Sequence, residues 1–339
     1  MRQTATLITG ASGEMGHGLI GRLAEEGIED LVALDIRPID HRIGSQCKAC
    51  VNGDILDERL LERMQSEYEI HTVYHLAALL STRAEFTPDA AHRVNAGGTL
   101  RLLQMAVEQS HWHGRPVKFM FPSSIAAYGL PGRTAKQGTG KVRETEWNFP
   151  TTMYGCNKLY CEHLGRYYAN HYRQLAVDSS SHGIDFRCIR FPGLISAVTL
   201  PSGGTTDYAP EMIHAAASGQ RYGCFVVPDT RLPFIVMPDA INALLQLQEA
   251  PRENLRQTEY NISSFSMTAD EIHRRILEEW PQAEIDFKPD PKRQAIVDSW
   301  PAEVDDSAAR ADWGWAPRYD KEAAFSQYLI PRIKSRYSG

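Results

Sequence analysis

The chain has 339 residues, 42% of them hydrophobic and 23% charged, which suits a globular enzyme with one large α/β domain and a smaller attachment. Its formal net charge is -6 and its Lys and Arg residues never run beyond pairs, so neither nucleic acid nor an anionic membrane is an expected partner. Apolar stretches fall far short of the roughly 20 residues of a membrane span. The first residues read straight into a strand rather than a secretory leader. Six cysteines in a chain this long suggest no disulfide framework, so a reducing cytoplasm is the expected setting. The pair Cys47-x-x-Cys50 lacks the second pair that a structural zinc site needs, and no metal is expected.

In chain order, Thr4–Thr9 reads as a short apolar strand, and Met15–Glu26 as a helix with Leu19, Ile20 and Leu23 on one face. Asp30–Leu34 and Ala49–Val51 are the next strands, Asp57–Glu67 a helix, and Thr72–Leu76 a fourth strand. Pro88–Glu108 reads as one long helix, Val117–Phe121 as a fifth strand ending at Ser123, and Tyr154–Leu175 as a second long helix. Phe186–Arg190 is a sixth strand. Each parallel return needs a crossover, so this alternation implies a doubly wound Rossmann-type parallel sheet in an α/β fold. Helices near Pro210–Ser218 and Pro238–Gln248 and strands at Tyr260–Ile262 and Ala283–Phe287 follow.

Gly10-Ala11-Ser12-Gly13-Glu14-Met15-Gly16 sits between the first strand and the first helix. There, glycines permit a tight turn and the helix N-terminus offers N–H donors to a pyrophosphate. Asp35 closes the second strand, where a carboxylate accepts the adenosine ribose hydroxyls and repels a 2′-phosphate. Arg37 is near enough to grip a phosphate, yet Asp35 weighs towards NAD rather than NADP. Asp54-Ile55 is placed to meet the adenine, or to cap the helix after it. The expected division is an NAD-binding domain over 1–195, with 237–262 returning to it, and a smaller C-terminal substrate-binding or lid domain over 196–236 and 263–339.

Tyr154 and Lys158 stand four apart at the start of a helix, on one face. A neighbouring ammonium lowers a phenol's pKa, so Lys158 can hold part of Tyr154 as phenolate, which takes a hydroxyl proton as hydride leaves the carbon. Ser124, at the carboxyl end of the fifth strand, can polarise the reacting oxygen or simply cap a turn. Asn95 can hold a water, kink its helix near Lys158, or be an ordinary helix residue.

Together these residues resemble the extended short-chain dehydrogenase/reductase family. The matches are the glycine motif, Asp35, Asp54-Ile55, His75-Leu76-Ala77-Ala78, Asn95, Ser123-Ser124 with Tyr128-Gly129, and Tyr154 with Lys158. The remaining motifs resemble the short-chain, UDP-galactose epimerase-like type of L-threonine 3-dehydrogenases. They are Ala77-Ala78-Leu79-Leu80-Ser81, Ser123-Ser124-Ile125-Ala126, Arg190-Phe191-Pro192-Gly193-Leu194-Ile195-Ser196, Gly204-Thr205-Thr206-Asp207-Tyr208-Ala209, Pro228-Asp229-Thr230-Arg231-Leu232-Pro233, Met237-Pro238-Asp239-Ala240 and Asp298-Ser299-Trp300-Pro301. The resemblance implies NAD-dependent oxidation of the L-threonine hydroxyl to 2-amino-3-oxobutanoate. It implies Leu76, Ala77 and Ala78 beside the cofactor, and Pro192 and Leu194 bordering the nicotinamide. Ser81, Thr205, Thr206 and Trp300, with Asp207, would line the substrate pocket; loop capping and core packing are the plainer roles for them. It also implies a homodimer through the two long helices. A sugar-nucleotide epimerase or dehydratase, and a non-catalytic NAD-binding regulator, are the rival functions. Arg190 could bind a carboxylate or pair with a structural acid. The segment Gly132–Val142, rich in Gly, Lys and Thr, reads as a mobile loop longer than the family pattern requires.

Overall fold

A computed structural model describes residues 2–176, 183–201 and 204–337. The first half runs β1 (Gln3–Thr9), α1 (Glu14–Glu25), β2 (Leu31–Asp35), α2 (His41–Gly44), β3 (Ala49–Asn52), α3 (Glu58–Glu67), β4 (Tyr68–His75), α4 (Ser81–Phe86), α5 (Pro88–His92), α6 (Gly98–His113) and β5 (Lys118–Ser124). Then come α7 (Arg133–Gly138), β6 (Lys141–Val142), α8 (Met153–Asn170), β7 (Asp185–Phe191), β8 (Gly193–Ile195), α9 (Tyr208–Ala217), β9 (Tyr222–Cys224), β10 (Arg231–Val236) and α10 (Met237–Glu249). The chain continues through β11 (Glu259–Asn261), β12 (Phe265–Thr268), α11 (Ala269–Glu279), β13 (Ile285–Phe287), α12 (Pro291–Asp298), β14 (Glu303–Val304) and α13 (Ser307–Trp313).

Seven strands form one sheet in the order β11-β7-β5-β4-β1-β2-β3. Leu7 lies beside Val32 on one side and Val73 on the other, and Val73 beside Phe119, all in parallel register. All five residues of β2 are buried, as expected of a strand covered on both faces by crossover helices. The order turns at β1, so the carboxyl ends of β1 and β4 mark the switch point where such sheets bind ligands. This is the expected Rossmann-type sheet.

The chain packs as two units. One comprises Met1–Ser123, Asn157–Ile189 and Leu244–Glu259; the other comprises Ser124–Cys156, Arg190–Ala243 and Tyr260–Gly339. The first is built on an apolar cluster that includes Leu7, Val32, Val73, Phe119 and Phe186. In the second, β12-β10-β8 form a three-stranded sheet, with β13-β9 and β14-β6 as two-stranded pairs, around Tyr208, Phe234, Phe265 and Phe325.

Three segments differ from the sequence expectation. The long helix from Pro88 is interrupted by a π turn at Arg93–Gly97 before α6 continues to His113. The helix over Tyr154–Leu175 begins at Met153 and stops at Asn170; Arg173 then adopts a left-handed φ of 51°. Gly132–Val142, expected as a mobile loop, has regular structure. It forms α7 and β6, and β6 pairs with β14 at Val142–Val304. Lys136 anchors this segment: it is 4% exposed, with Nζ donating to Val297 O at 2.9 Å, and burial lowers its ammonium to about 7.

Candidate active site

The glycine turn leaves β1 at the switch point. Gly10 has φ 71°, and a Cβ there would stand 2.6 Å from the Ala77 nitrogen, so only glycine lets the turn lie against the exit of β4. A Cβ on Gly16 would stand 2.5 Å from Ala11 O, which explains the third glycine. Gly13 caps α1 without a side-chain hydrogen bond, and Glu14 and Met15 form the first turn. The turn and the helix start together suit a pyrophosphate. Asp35, 7% exposed, accepts from the backbone N–H groups of Ser12 and Arg37 at the end of β2. The exposed Arg37 donates from Nη2 to Ser12 O at 2.9 Å. The residues present therefore fit a dinucleotide.

Asp54 and Ile55 occupy different surroundings. Asp54 Oδ1 accepts from Leu56 N at 2.9 Å, while Asp57 caps α3 through Arg59 N and Leu60 N. Ile55 is 4% exposed and packs on Gly98.

After β4 the chain turns through Leu76, Ala77 and Ala78 towards Ser81 at the start of α4. Leu76 N donates to Thr9 O at 3.0 Å, which ties this turn to β1. Burial, with the charge of Lys158 adding, pushes His75 down to about 3. The neutral ring is held between Thr9 and Thr99. Asn95, inside the π turn, grips Leu79 twice: Leu79 N donates to its Oδ1 at 2.8 Å, and its Nδ2 donates to Leu79 O at 3.0 Å. Asn95 thus serves as a strand-like partner for the loop, and its Nδ2 also reaches Asn157 Oδ1 at 3.4 Å.

Ser124 ends β5 and caps the single 3-10 turn Ile125–Ala127, its Oγ accepting from Ala126 N at 3.1 Å. Tyr154 and Lys158 stand on successive turns of α8. Burial raises the Tyr154 phenol above the ordinary tyrosine value, opposite to the lowering expected from Lys158, because desolvation disfavours the phenolate. Lys158 is 6% exposed; its Nζ donates to Pro122 O at 2.6 Å and lies 4.5 Å from the centre of the Phe121 ring. Burial lowers its ammonium as well.

The remaining candidates lie in the second unit. Pro192 precedes β8 and Leu194 is half-buried within it. Thr205 is buried and Thr206 half-buried, and Asp207 Oδ2 accepts from Gly204 N at 2.6 Å. Trp300 is 3% exposed and belongs to the apolar core, its backbone N–H donating to Val297 O. Arg190 takes a structural place. It is 1% exposed, donates to Glu144 O at 3.0 Å and stacks 4.6 Å over Tyr128, whose hydroxyl donates to Asn261.

Sequence reasoning missed two residues. A Cβ on Gly155 would stand 2.0 Å from Ala126 O, so this glycine lets the helix start carrying Tyr154 lie against the turn that follows Ser124. Its signal was a glycine beside the candidate base. Glu162 is 0% exposed, and its signal was an acid four residues after Lys158.

A sequence model of the NAD dependent epimerase/dehydratase family matches residues 6–263. The chain is similar to the mitochondrial L-threonine 3-dehydrogenase of Bos taurus, 38% identical over 94% of this chain and 80% of that protein. It is 37% identical to an uncharacterised epimerase/dehydratase of Staphylococcus saprophyticus, over 97% of each chain. Among solved structures it is similar to the holo form of the GalE-like L-threonine dehydrogenase from Cupriavidus necator. That match has a TM-score of 0.83 at 35% identity, over 96% of this chain and 99% of that one.

Proposed function

The chain belongs to the NAD dependent epimerase/dehydratase family, and we propose that it works there as an NAD-dependent dehydrogenase oxidising the 3-hydroxyl of L-threonine to 2-amino-3-oxobutanoate. The observation that carries this reading is the likeness to L-threonine 3-dehydrogenases over nearly the whole chain. Asp35 supports NAD over NADP, since a carboxylate there repels a 2′-phosphate.

In this reading Ser124 polarises the reacting oxygen, and Tyr154 takes its proton. The base is the Tyr154 phenolate, which becomes a phenol as it takes that proton; the Lys158 ammonium stabilises the phenolate beforehand and would meet the cofactor ribose. NAD, when bound, accepts the hydride. Burial favours the phenol at rest, so Tyr154 must first give its own proton to solvent, and the nearby positive charge supports the phenolate that then acts as base. Ser81, Thr205, Thr206 and Asp207 hold the polar ends of threonine, and Trp300 keeps water out. Pro192 and Leu194 would border the nicotinamide.

We also read the protein as a cytoplasmic homodimer joined through α6 and α8. Trp112 on α6, and Tyr160 and Tyr167 on α8, are exposed large side chains that a second copy would cover. Sedimentation equilibrium tests this: a single monomeric species at micromolar concentration refutes it.

The substrate test is NAD reduction across L-threonine, L-serine, UDP-galactose and UDP-glucose. L-threonine is expected to be fastest, with L-serine slower by roughly 10–200-fold for its missing methyl. Equal rates with a UDP-sugar would favour an epimerase or dehydratase. NAD binding without any turnover would favour a regulator.

A further inference from the structure

Tyr154, Lys158 and Glu162 stand at steps of four along α8, so the three side chains leave one face of the helix. Glu162 has no part in the reaction described so far. It is fully buried and accepts a 2.5 Å hydrogen bond from Ser123 Oγ, the residue before Ser124. A buried carboxylate is stabilised by a nearby cation. Lys158, one turn back, is a buried cation in the same unit.

We propose that Glu162 is a positioning residue for the reaction, its buried carboxylate keeping Lys158 an ammonium while Tyr154 exchanges its proton. The proposal rests on the reading that Tyr154 and Lys158 form the acid–base pair. The surroundings of Lys158 favour Glu162 in this role. Desolvation lowers the ammonium, and the groups that oppose it are the thiols of Cys161 and Cys188 and the carboxylate of Glu162. Burial pushes the Cys161 thiol up to about 11, so it is neutral under working conditions. His75 on β4 is held neutral, β5 contributes the Phe121 ring and Pro122 O, and Tyr154 rests as a phenol. The Glu162 carboxylate thus opposes a loss of charge that would strip the phenolate of its stabiliser.

The experiment titrates the Lys158 side chain by NMR of its Cε and Nζ in the NAD-free protein, with the resonance assigned through Lys158→Arg. Glu162→Gln should lower the midpoint by about one pH unit or more, and the alkaline limb of NADH formation should move with it. Ser123→Ala removes the hydrogen bond and keeps the charge, so its midpoint should stay within about half a unit of the wild type. A Glu162→Gln midpoint equal to the wild type overturns the proposal, as does an equal shift in Ser123→Ala. If Glu162→Gln does not fold, adding Lys158→Met to it decides. Removing both charges should restore a cooperative melt, and a double variant as unfolded as Glu162→Gln alone overturns the proposal. The titration needs no threonine, so a failed substrate assignment leaves it readable.

Discussion

The backbone N–H of Ser12 donates to Asp35 Oδ2 at 2.9 Å, while the N–H of Arg37 donates to Asp35 Oδ1 at 2.8 Å. One carboxylate therefore ties the glycine turn to the end of β2, at the place where a ribose would compete for its lone pairs. Asp35→Ser removes the charge and one acceptor. NAD should bind roughly 10–100-fold more weakly, and its advantage over NADP should narrow. Titrating both cofactors by fluorescence checks this, and an unchanged preference would refute the assignment.

Replacing Tyr154 by Phe keeps the ring and removes the proton-transferring oxygen. Positioned acid–base groups contribute about 10²–10⁴ in rate, so kcat with L-threonine should fall by that factor while NAD affinity holds. Lys158→Met should impair both, because it serves phenolate and ribose. Near-normal turnover in the Phe variant would exclude Tyr154 as the base.

Gly155 offers a purely steric test. A methyl there would stand 2.0 Å from Ala126 O, and the obstacle is backbone. Gly155→Ala should destabilise the protein by about 1–3 kcal/mol and depress kcat as Tyr154 shifts. Gly21→Ala, in the middle of α1 with its nearest neighbour atom 3.9 Å away, should instead stabilise by about 0.5–1 kcal/mol. Thermal melts of the pair decide; equal Tm changes would mean that the contact is soft.

Lys136 makes stability depend on pH in a defined window. Its ordinary value is 10.5 and burial brings it to about 7. Between those values the unfolded chain binds the proton and the native chain does not, so this residue makes stability rise with pH across the window. Below about 7 both states are protonated and the full penalty remains. Lys136→Met abolishes the dependence. The Tm of the wild type relative to that variant should therefore climb from pH 6.5 to pH 9, and a flat difference would show that the amine reaches water.

The alternating strands and helices of the first half were legible because each announces itself within its own residues. β2 is a run of five buried residues, and α1 presents Leu19, Ile20 and Leu23 on one stripe. β4 begins at Tyr68 rather than Thr72 because Gln3 and Thr4 supply neighbours for its mixed first residues, a relationship across more than sixty positions. The π turn at Asn95 was hidden for the same reason, since the Leu79 groups that reward it lie sixteen residues earlier. Lys136 gives no local sign of its place. A lysine between glycines and threonines reads as solvated, and only the Val297 carbonyl at the end of α12 gives it a buried place. In the candidate site, Asp35 and the glycines carried their chemistry in type and spacing. Trp300 and Arg190 did not, because nothing local separates a pocket wall from a core side chain.

The division of the chain into two packing units has a hereditary consequence. The backbone passes from one unit to the other between Ser123 and Ser124, and returns between Cys156 and Asn157. Ser124 and Tyr154 are thus counted with one unit and Lys158 with the other, although four residues separate the last two. Each unit is written in three separated stretches of chain. Recombination that exchanges one contiguous block cannot lift out either unit whole, and a breakpoint between Cys156 and Asn157 would part Ser124 and Tyr154 from Lys158. Replacing either unit alone would take three separate exchanges of chain.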